Sequence, residues 1–247
     1  MMLEGSTLTR TPEHHLNDVY IKVLKSTIHK EDLEEDKEDT YSMLKQVLGT
    51  IVLLYSPLSI KSLSELLSLP AGAIEGGLAD LHAILDIPKD TSRALRLHHP
   101  SFRDFLLNKN RCSDPNFWVD EKQAHQALAD CCIQLMSQTL KKDVCELYAP
   151  GYQAAQVESS RIQKCLPPEV QYSCLYWVQH LHRSGSYTHD NEKVYQFLQA
   201  HLLHWLEALG WMGKTSEGIQ AILSLEAHIP VSYLSIICRS LTNLFLG

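Results

Sequence analysis

The sequence is poor in several features that define common protein classes. It has no basic surplus: 22 Lys and Arg stand against 29 Asp and Glu, for a formal net charge of -7. Proteins that neutralise nucleic-acid phosphates display a basic stripe. None is found here, which argues against a nucleic-acid binder. There is no C-x-x-C pair, and the cysteines are seven, an odd number. Cys112, Cys131, Cys132, Cys145, Cys165, Cys174 and Cys238 fall mostly among apolar residues. They read as reduced thiols used as small core residues, so a reducing compartment, the cytoplasm, is expected. No apolar h-region follows Met1, so no secretory signal is evident. The one membrane candidate, 229–246, is interrupted by Pro230, Arg239 and Asn243. It falls short of the roughly 20 mostly apolar residues of a spanning helix. A G-x-S-x-G elbow, a Gly-rich cysteine motif and a framed carboxylate pair are all missing, so no catalytic residues are indicated.

What is present is globular composition with helical periodicity. Of 247 residues, 45% are hydrophobic and 21% charged, enough for one large domain or two smaller ones, each with a buried core. Residues 1–13 read as a loose start. Over 14–29, Leu16, Val19, Tyr20, Val23 and Leu24 share a helical face. The acidic run 31–39 reads as a solvated linker or helix flank, with an acidic docking segment as the alternative. A helix over 41–55 ends at Ser56-Pro57, because the residue before proline avoids the helical region. Leu58-Ser59-Ile60 is a short extended stub. Ser62, with Glu65 at capping-box spacing, opens a helix that ends at Leu69 before Pro70. A further helix over 71–85 puts Ile74, Leu78, Leu81 and Leu85 on one stripe. Short extended runs over 83–87 and 94–98 flank a turn at 88–92. Helix, stub, helix, helix, hairpin is the order of a winged helix, which with its preceding helices takes up 14–112.

Over 113–229 the chain reads as a helical arm. Its helices are 121–140, one opened by Pro167-Pro168 and running to His182, 191–208 with Gly210 suited to its end, and 215–226. No strict repeat period is found. A divergent apolar tail covers 230–247. The fold class expected is therefore mainly α: a winged-helix domain followed by a helical bundle or superhelical arm.

The run Leu97-His98-His99-Pro100-Ser101-Phe102-Arg103-Asp104-Phe105-Leu106 is the most specific in the chain. It resembles the H-x-S-F-x-[DE]-[FY] segment at the end of the winged-helix domain of NACHT-type signalling NTPases. The block Leu48-Gly49-Thr50-Ile51-Val52-Leu53-Leu54 and the stub Leu58-Ser59-Ile60 look like the opening of that domain. Phe117-Trp118-Val119-Asp120, Cys131-Cys132, Leu175-Tyr176-Trp177-Val178-Gln179-His180-Leu181, His204-Trp205-Leu206-Glu207 and Gly218-Ile219-Gln220-Ala221-Ile222 look like the helical region after it. Together, over roughly 14–229, they resemble the linker between the NACHT engine and the C-terminal WD40 repeats of fungal signalling proteins.

The resemblance implies a non-catalytic regulatory and interaction region that couples nucleotide state to a sensor, in signal transduction of an innate-immunity-like kind. It implies protein partners, full-length relatives among them, with no nucleic acid, no membrane and a monomeric isolated chain. The family's P-loop and magnesium-binding acidic strand lie upstream of the matched region. The chain departs from the family near Ser232 and stops at Gly247, so a truncated or partial protein is expected. No cofactor is expected in this chain; ADP or ATP belongs to the complete family protein. By position, His99 matches the family's histidine that contacts the terminal phosphate of ADP and locks the closed state. The implied role is a phosphate sensor that works only with a NACHT engine, and an imidazole N–H can donate to a phosphate oxygen. Read from the residues alone, His99 caps the helix over 101–107 instead.

Three other patterns compete. Ala208-Leu209-Gly210-Trp211-Met212-Gly213-Lys214-Thr215 fits the loose P-loop form, which would make a weak nucleotide-binding protein through Lys214. A P-loop follows a buried strand and opens a helix, whereas 197–209 reads as a helix, so a helix–helix turn is expected. A winged helix can also bind DNA, but the recognition helix over 71–85 carries no Lys or Arg. Finally, His98-His99, His180-x-His182 and His201-x-x-His204 are close pairs among 13 histidines. No second pair completes a zinc set, and no metal site is expected.

Overall fold

The computed structural model describes residues 11–28, 34–147, 157–185 and 192–226. The apolar tail expected over 230–247, Cys238 and the first ten residues of the loose start lie outside them. The protein is mainly α: ten helices and one two-stranded sheet are present among the described residues.

Helix α1 (Pro12–Ser26) starts with proline in its first turn, where a missing N–H costs nothing. It buries Tyr20 and Leu24. Its outer residues are tied to the segment after α5 by Lys25–Asp114 (2.9 Å) and Arg111–Glu13 (3.2 Å). Helix α2 (Glu34–Leu53) begins inside the acidic run. Its stripe Leu44, Val47, Leu48, Ile51 and Val52 is buried.

The stub after α2 is shorter than expected and serves two purposes. Ser59 bridges Ala94 of the hairpin. Its hydroxyl also accepts the amide of Ser62 at 3.1 Å and so caps α3 (Ile60–Leu67). The cap is therefore Ser59 and not Ser62, because the extended backbone of a cap residue is already required by the bridge. Helix α3 ends at Ser68, whose φ of 54° is left-handed, with the Leu69 amide donating back to the Ser64 carbonyl at 3.1 Å.

Helix α4 (Ala71–Leu78) is about half as long as the periodicity suggests. Gly72, Gly76 and Gly77 lower its propensity. Two turns, Leu81 N–H to Leu78 C=O and Ile84 N–H to Leu81 C=O (both 2.9 Å), then replace it. The stripe survives the change: Ile74, Leu78, Leu81 and Leu85 are all buried. Strand β1 (Leu85–Asp86) pairs antiparallel with β2 (Arg96–Leu97), Leu85 opposite Leu97. Helix α5 (Ser101–Leu107) follows and buries Phe102, Phe105 and Leu106. Tyr20 of α1 packs on both rings, 5.1 Å from Phe102 and 5.2 Å from Phe105.

The remaining helices form a second layer. Helix α6 (Glu121–Thr139) is capped by Asp120, which accepts the Gln123 amide at 3.0 Å. A short helix α7 (Ser159–Cys165), not foreseen from the periodicity, precedes α8 (Pro168–Ser184). Gly185, at a φ of 72°, ends α8 as a left-handed cap. Helices α9 (Glu192–Trp211) and α10 (Thr215–Glu226) complete the arm. Helices α6 and α8 pack along most of their lengths, and α9 closes over them. Here Trp177 and Trp205 meet edge to face at 5.5 Å, and the Trp205 indole donates to the Cys174 carbonyl at 2.9 Å. One apolar core runs without a break from α1 to α10.

Phe105 is fully buried at the meeting of α1, α2 and α5. Phe105→Ala is expected to lower unfolding free energy by about 3–5 kcal/mol, the usual cost of emptying an aromatic site. Urea denaturation followed by circular dichroism measures it; a loss under 1 kcal/mol would mean that α1 and α5 do not form this core.

Candidate functional site

His99 sits between the hairpin and α5, and the chain around it is closely held. The His98 amide donates to the Ile84 carbonyl at 3.0 Å, and His98 Nε2 lies 3.1 Å from the His82 carbonyl. Helix α5 has Pro100 at its N-cap position, which offers no side-chain acceptor. His99 supplies one: its Nδ1 accepts the Ser101 amide at 3.1 Å and lies 2.7 Å from Ser101 Oγ. Ser101 Oγ is in turn 2.7 Å from the Tyr20 hydroxyl of α1. With Nδ1 occupied as an acceptor, the ring proton of the neutral imidazole resides on Nε2. The ring itself is exposed. Capping and an outward N–H donor are thus compatible in one histidine, because they use opposite ring nitrogens.

The Lys214 segment is a helix–helix turn. Gly213, at a φ of 66°, ends α9, with its amide donating to the Gly210 carbonyl (3.0 Å) and the Lys214 amide to the Leu209 carbonyl (2.8 Å). That is a Schellman cap. The terminating glycine is Gly213, one turn beyond the expected end; Gly210 lies inside the helix. The two amides that a phosphate cradle would need are spent on helix carbonyls. Lys214 Nζ is 2.7 Å from Glu217, and that contact, with the Ser216 hydroxyl, holds the Glu217 carboxyl down to about 2. Lys214 also lines a cleft of about 650 Å³ between α8 and α10, with Tyr55, Tyr176, His182, Arg183 and Gln220.

The histidine pairs fare differently. His180 is fully buried, whereas His182 is exposed. His201 and His204 face each other on α9 at 3.4 Å between Nδ1 atoms. Among the described residues, no group of three or more His, Cys, Asp or Glu side chains is placed to hold a metal ion. His180 instead meets His125 of α6, Nδ1 to Nδ1, at 2.8 Å. On its other side Nε2 lies 2.7 Å from the Tyr172 hydroxyl, which receives the Tyr55 amide at 3.4 Å. One proton arrangement also gives the Tyr172 hydroxyl an acceptor and turns an N–H toward the Glu121 carboxylate. The Tyr172 O–H donates to His180 Nε2, the His180 Nδ1–H donates to His125 Nδ1, and the His125 Nε2–H faces Glu121 at 3.9 Å. Burial raises the Tyr172 phenol, so it stays protonated. Burial, with the neighbouring His125, pushes His180 down to about 3. Burial also lowers His125, against the opposing pull of Glu121. The sequence hint was the stripe Tyr172, Tyr176, His180 at i, i+4, i+8 on α8. Its partner His125, 55 residues away, had no local signal.

No protein-family model matches this chain, and no solved structure matches it significantly. It is similar to the vegetative incompatibility protein HET-E-1 of Podospora anserina, with 27% identity over 238 residues. The match covers 86% of this chain but only 16% of that protein. Among the described residues, no helix is long and apolar enough to cross a membrane.

Tyr172→Phe would leave His180 Nε2 unpaired in the interior and take the acceptor from the Tyr55 amide, with little change of shape. A loss of about 1–3 kcal/mol is expected, read from urea unfolding at pH 7; an unchanged midpoint would remove the hydroxyl from the network. The pH response follows from His180. Its folded pKa of about 3 lies below its ordinary 6.5, so between these values the unfolded chain binds the extra proton. The stabilisation is complete above pH 6.5 and declines as pH falls towards 3. From pH 7 to pH 5 this group alone should remove about 2 kcal/mol of stability, and a flat unfolding midpoint over that range would contradict a neutral buried imidazole.

Proposed function

We propose that this chain is a regulatory and interaction region of a NACHT-type signalling protein, with no catalytic site of its own. It couples the nucleotide state of an NTPase engine to a sensor domain in a cytoplasmic protein that binds ADP or ATP elsewhere. The observation that carries this reading is the 27% identity to HET-E-1 over 86% of the chain. In this reading α2 to α5 with the hairpin are a winged helix, and α6 to α10 are the arm that transmits its movement. His99 is the phosphate sensor. Its Nδ1 is engaged by Ser101, so the Nε2–H on the exposed ring is the donor for a phosphate oxygen of ADP. Gain or loss of that contact shifts the population between a closed and an open arrangement. The partners are proteins, relatives carrying the engine among them, and the isolated chain is a monomer.

Binding to DNA is the weaker reading. The exposed positions of α4 are Gly72, Ala73, Glu75 and Gly76, which offer neither a cation nor an amide side chain to a base edge. Nucleotide binding at Lys214 is weaker still, given the Schellman cap there.

The test uses a protein in which a NACHT engine precedes these residues. His99→Ala should weaken ADP binding tenfold or more by calorimetry, as expected for a hydrogen bond to a charged group worth about 1.5–3 kcal/mol. His99→Asn keeps a capping acceptor for Ser101 but shortens the reach, so it should retain stability and still lose ADP affinity. Equal affinity in all three proteins would sink the sensor role. Lys214→Ala should leave ADP binding unchanged.

A further inference from the structure

Helix α1 is pinned along its length to α5 and the segment behind it. Near its start Arg111 meets Glu13 and Asn17, each at 3.2 Å. Near its end Lys25 meets Asp114 at 2.9 Å. Between these ties Tyr20 is buried, with its ring against Phe102 and Phe105. A ring packed on two others has little freedom, so the Tyr20 hydroxyl has a fixed place, 2.7 Å from Ser101 Oγ.

The hydrogen bonds from Tyr20 to His99 run in one direction, set by the Ser101 amide. That amide can only donate, and it points at His99 Nδ1 from 3.1 Å. A proton on Nδ1 would face the amide proton, so Nδ1 is the acceptor. Ser101 Oγ lies 2.7 Å from the same nitrogen and must give its own proton to it. With that proton spent, Ser101 Oγ accepts from the Tyr20 O–H. The order is Tyr20 to Ser101 to His99 Nδ1, and the ring proton stays on Nε2. A serine hydroxyl can turn among staggered positions; the Tyr20 donor selects the one that faces His99.

We propose that Tyr20 is the positioning residue of His99: acting through Ser101, it holds the imidazole in one tautomer and one direction, so that α1 controls whether the Nε2–H is presented. The consequence for ADP rests on the sensor reading of His99; the hold of Tyr20 on the ring does not. Tyr20 is buried and reaches a ligand only through His99. In the sensor reading the engine precedes these residues, and α1 is the first described helix between it and the imidazole. A displacement of α1 that parts Tyr20 from Ser101 frees the serine hydroxyl and then the ring. The phosphate donor is thereby lost with no change in His99 itself, a shift of population between two arrangements.

Tyr20→Phe keeps the ring packing and removes only the hydroxyl, and two measurements read its effect. In the full chain, with nitrogen-labelled histidines, the ring nitrogens of His99 are assigned by their loss in His99→Asn. They are read by NMR at pH 8, where an imidazole is neutral. Wild type should show the Nε2–H tautomer alone. Tyr20→Phe and Ser101→Ala should move both ring shifts toward the tautomer mixture of free histidine, and Ser101→Thr, which keeps a hydroxyl, should match wild type. In the engine-bearing protein, Tyr20→Phe should weaken ADP binding by about threefold to tenfold, the worth of a hydrogen bond. In the His99→Ala background it should cost nothing further, because the two residues act as one unit. A tyrosine that is merely structural would weaken ADP binding equally in both backgrounds, and that result would overturn the proposal. So would His99 ring shifts that stay in place in Tyr20→Phe. If His99→Ala leaves ADP affinity intact, the sensor reading falls, and the ring shifts alone decide whether Tyr20 positions His99.

Discussion

Two imidazoles meet 2.8 Å apart in the interior where α6 and α8 face each other beside Tyr55. Their inward nitrogens need hydrogen-bond partners, since an unsatisfied polar group inside a low-dielectric core is expensive. The solution is a directed chain from Tyr172 through His180 to His125. Because a hydrogen bond tolerates only a few tenths of an ångström, this chain sets the register of α8 against α6 and draws in the backbone just after α2. The apolar packing around it, with Trp177, Trp205 and Phe197, is less particular about register and follows.

The same economy appears at the other end of the molecule. Tyr20 packs its ring on Phe102 and Phe105 while its hydroxyl meets Ser101. Ser101 then meets His99, so the orientation of an exposed imidazole depends on a core tyrosine 79 positions earlier in the chain. One side chain thereby links the apolar packing of α1 on α5 to the placement of the histidine in the H-x-S-F-like run. A surface group with such support is better held than a side chain in solvent, as a site that must meet a ligand in one geometry requires.

Kinship and geometry bear on function at different depths. Similarity to HET-E-1 relates this chain to a region spanning 16% of that protein. The geometry adds that the Lys214 turn is a helix cap and that α4 lacks the side chains of a groove reader. It adds too that the stub before α3 is bridged to the hairpin, Ser59 to Ala94.

Much of this was legible from pattern alone. The stripes of α2 and α6, that of α1 except for the exposed Val19, the positions of α8 and α10, the hairpin near 85–97 and the turn after α9 follow from apolar periodicity and from proline and glycine, which act over a few residues and are written locally. His99 stood out through its motif, and its capping role through its distance of two from Ser101. What local pattern could not supply were choices made by distant partners. Ser59 rather than Ser62 caps α3 because the hairpin holds Ser59 extended. Helix α4 stops at Leu78 because three glycines weaken it and the chain must reach β1. His180 parted from His182 and joined His125 because α6 and α8 pack together. Periodicity determines which face of a helix is buried; only the assembled core decides which buried polar groups meet, since a hydrogen bond depends on the separation of two atoms whatever their separation in sequence.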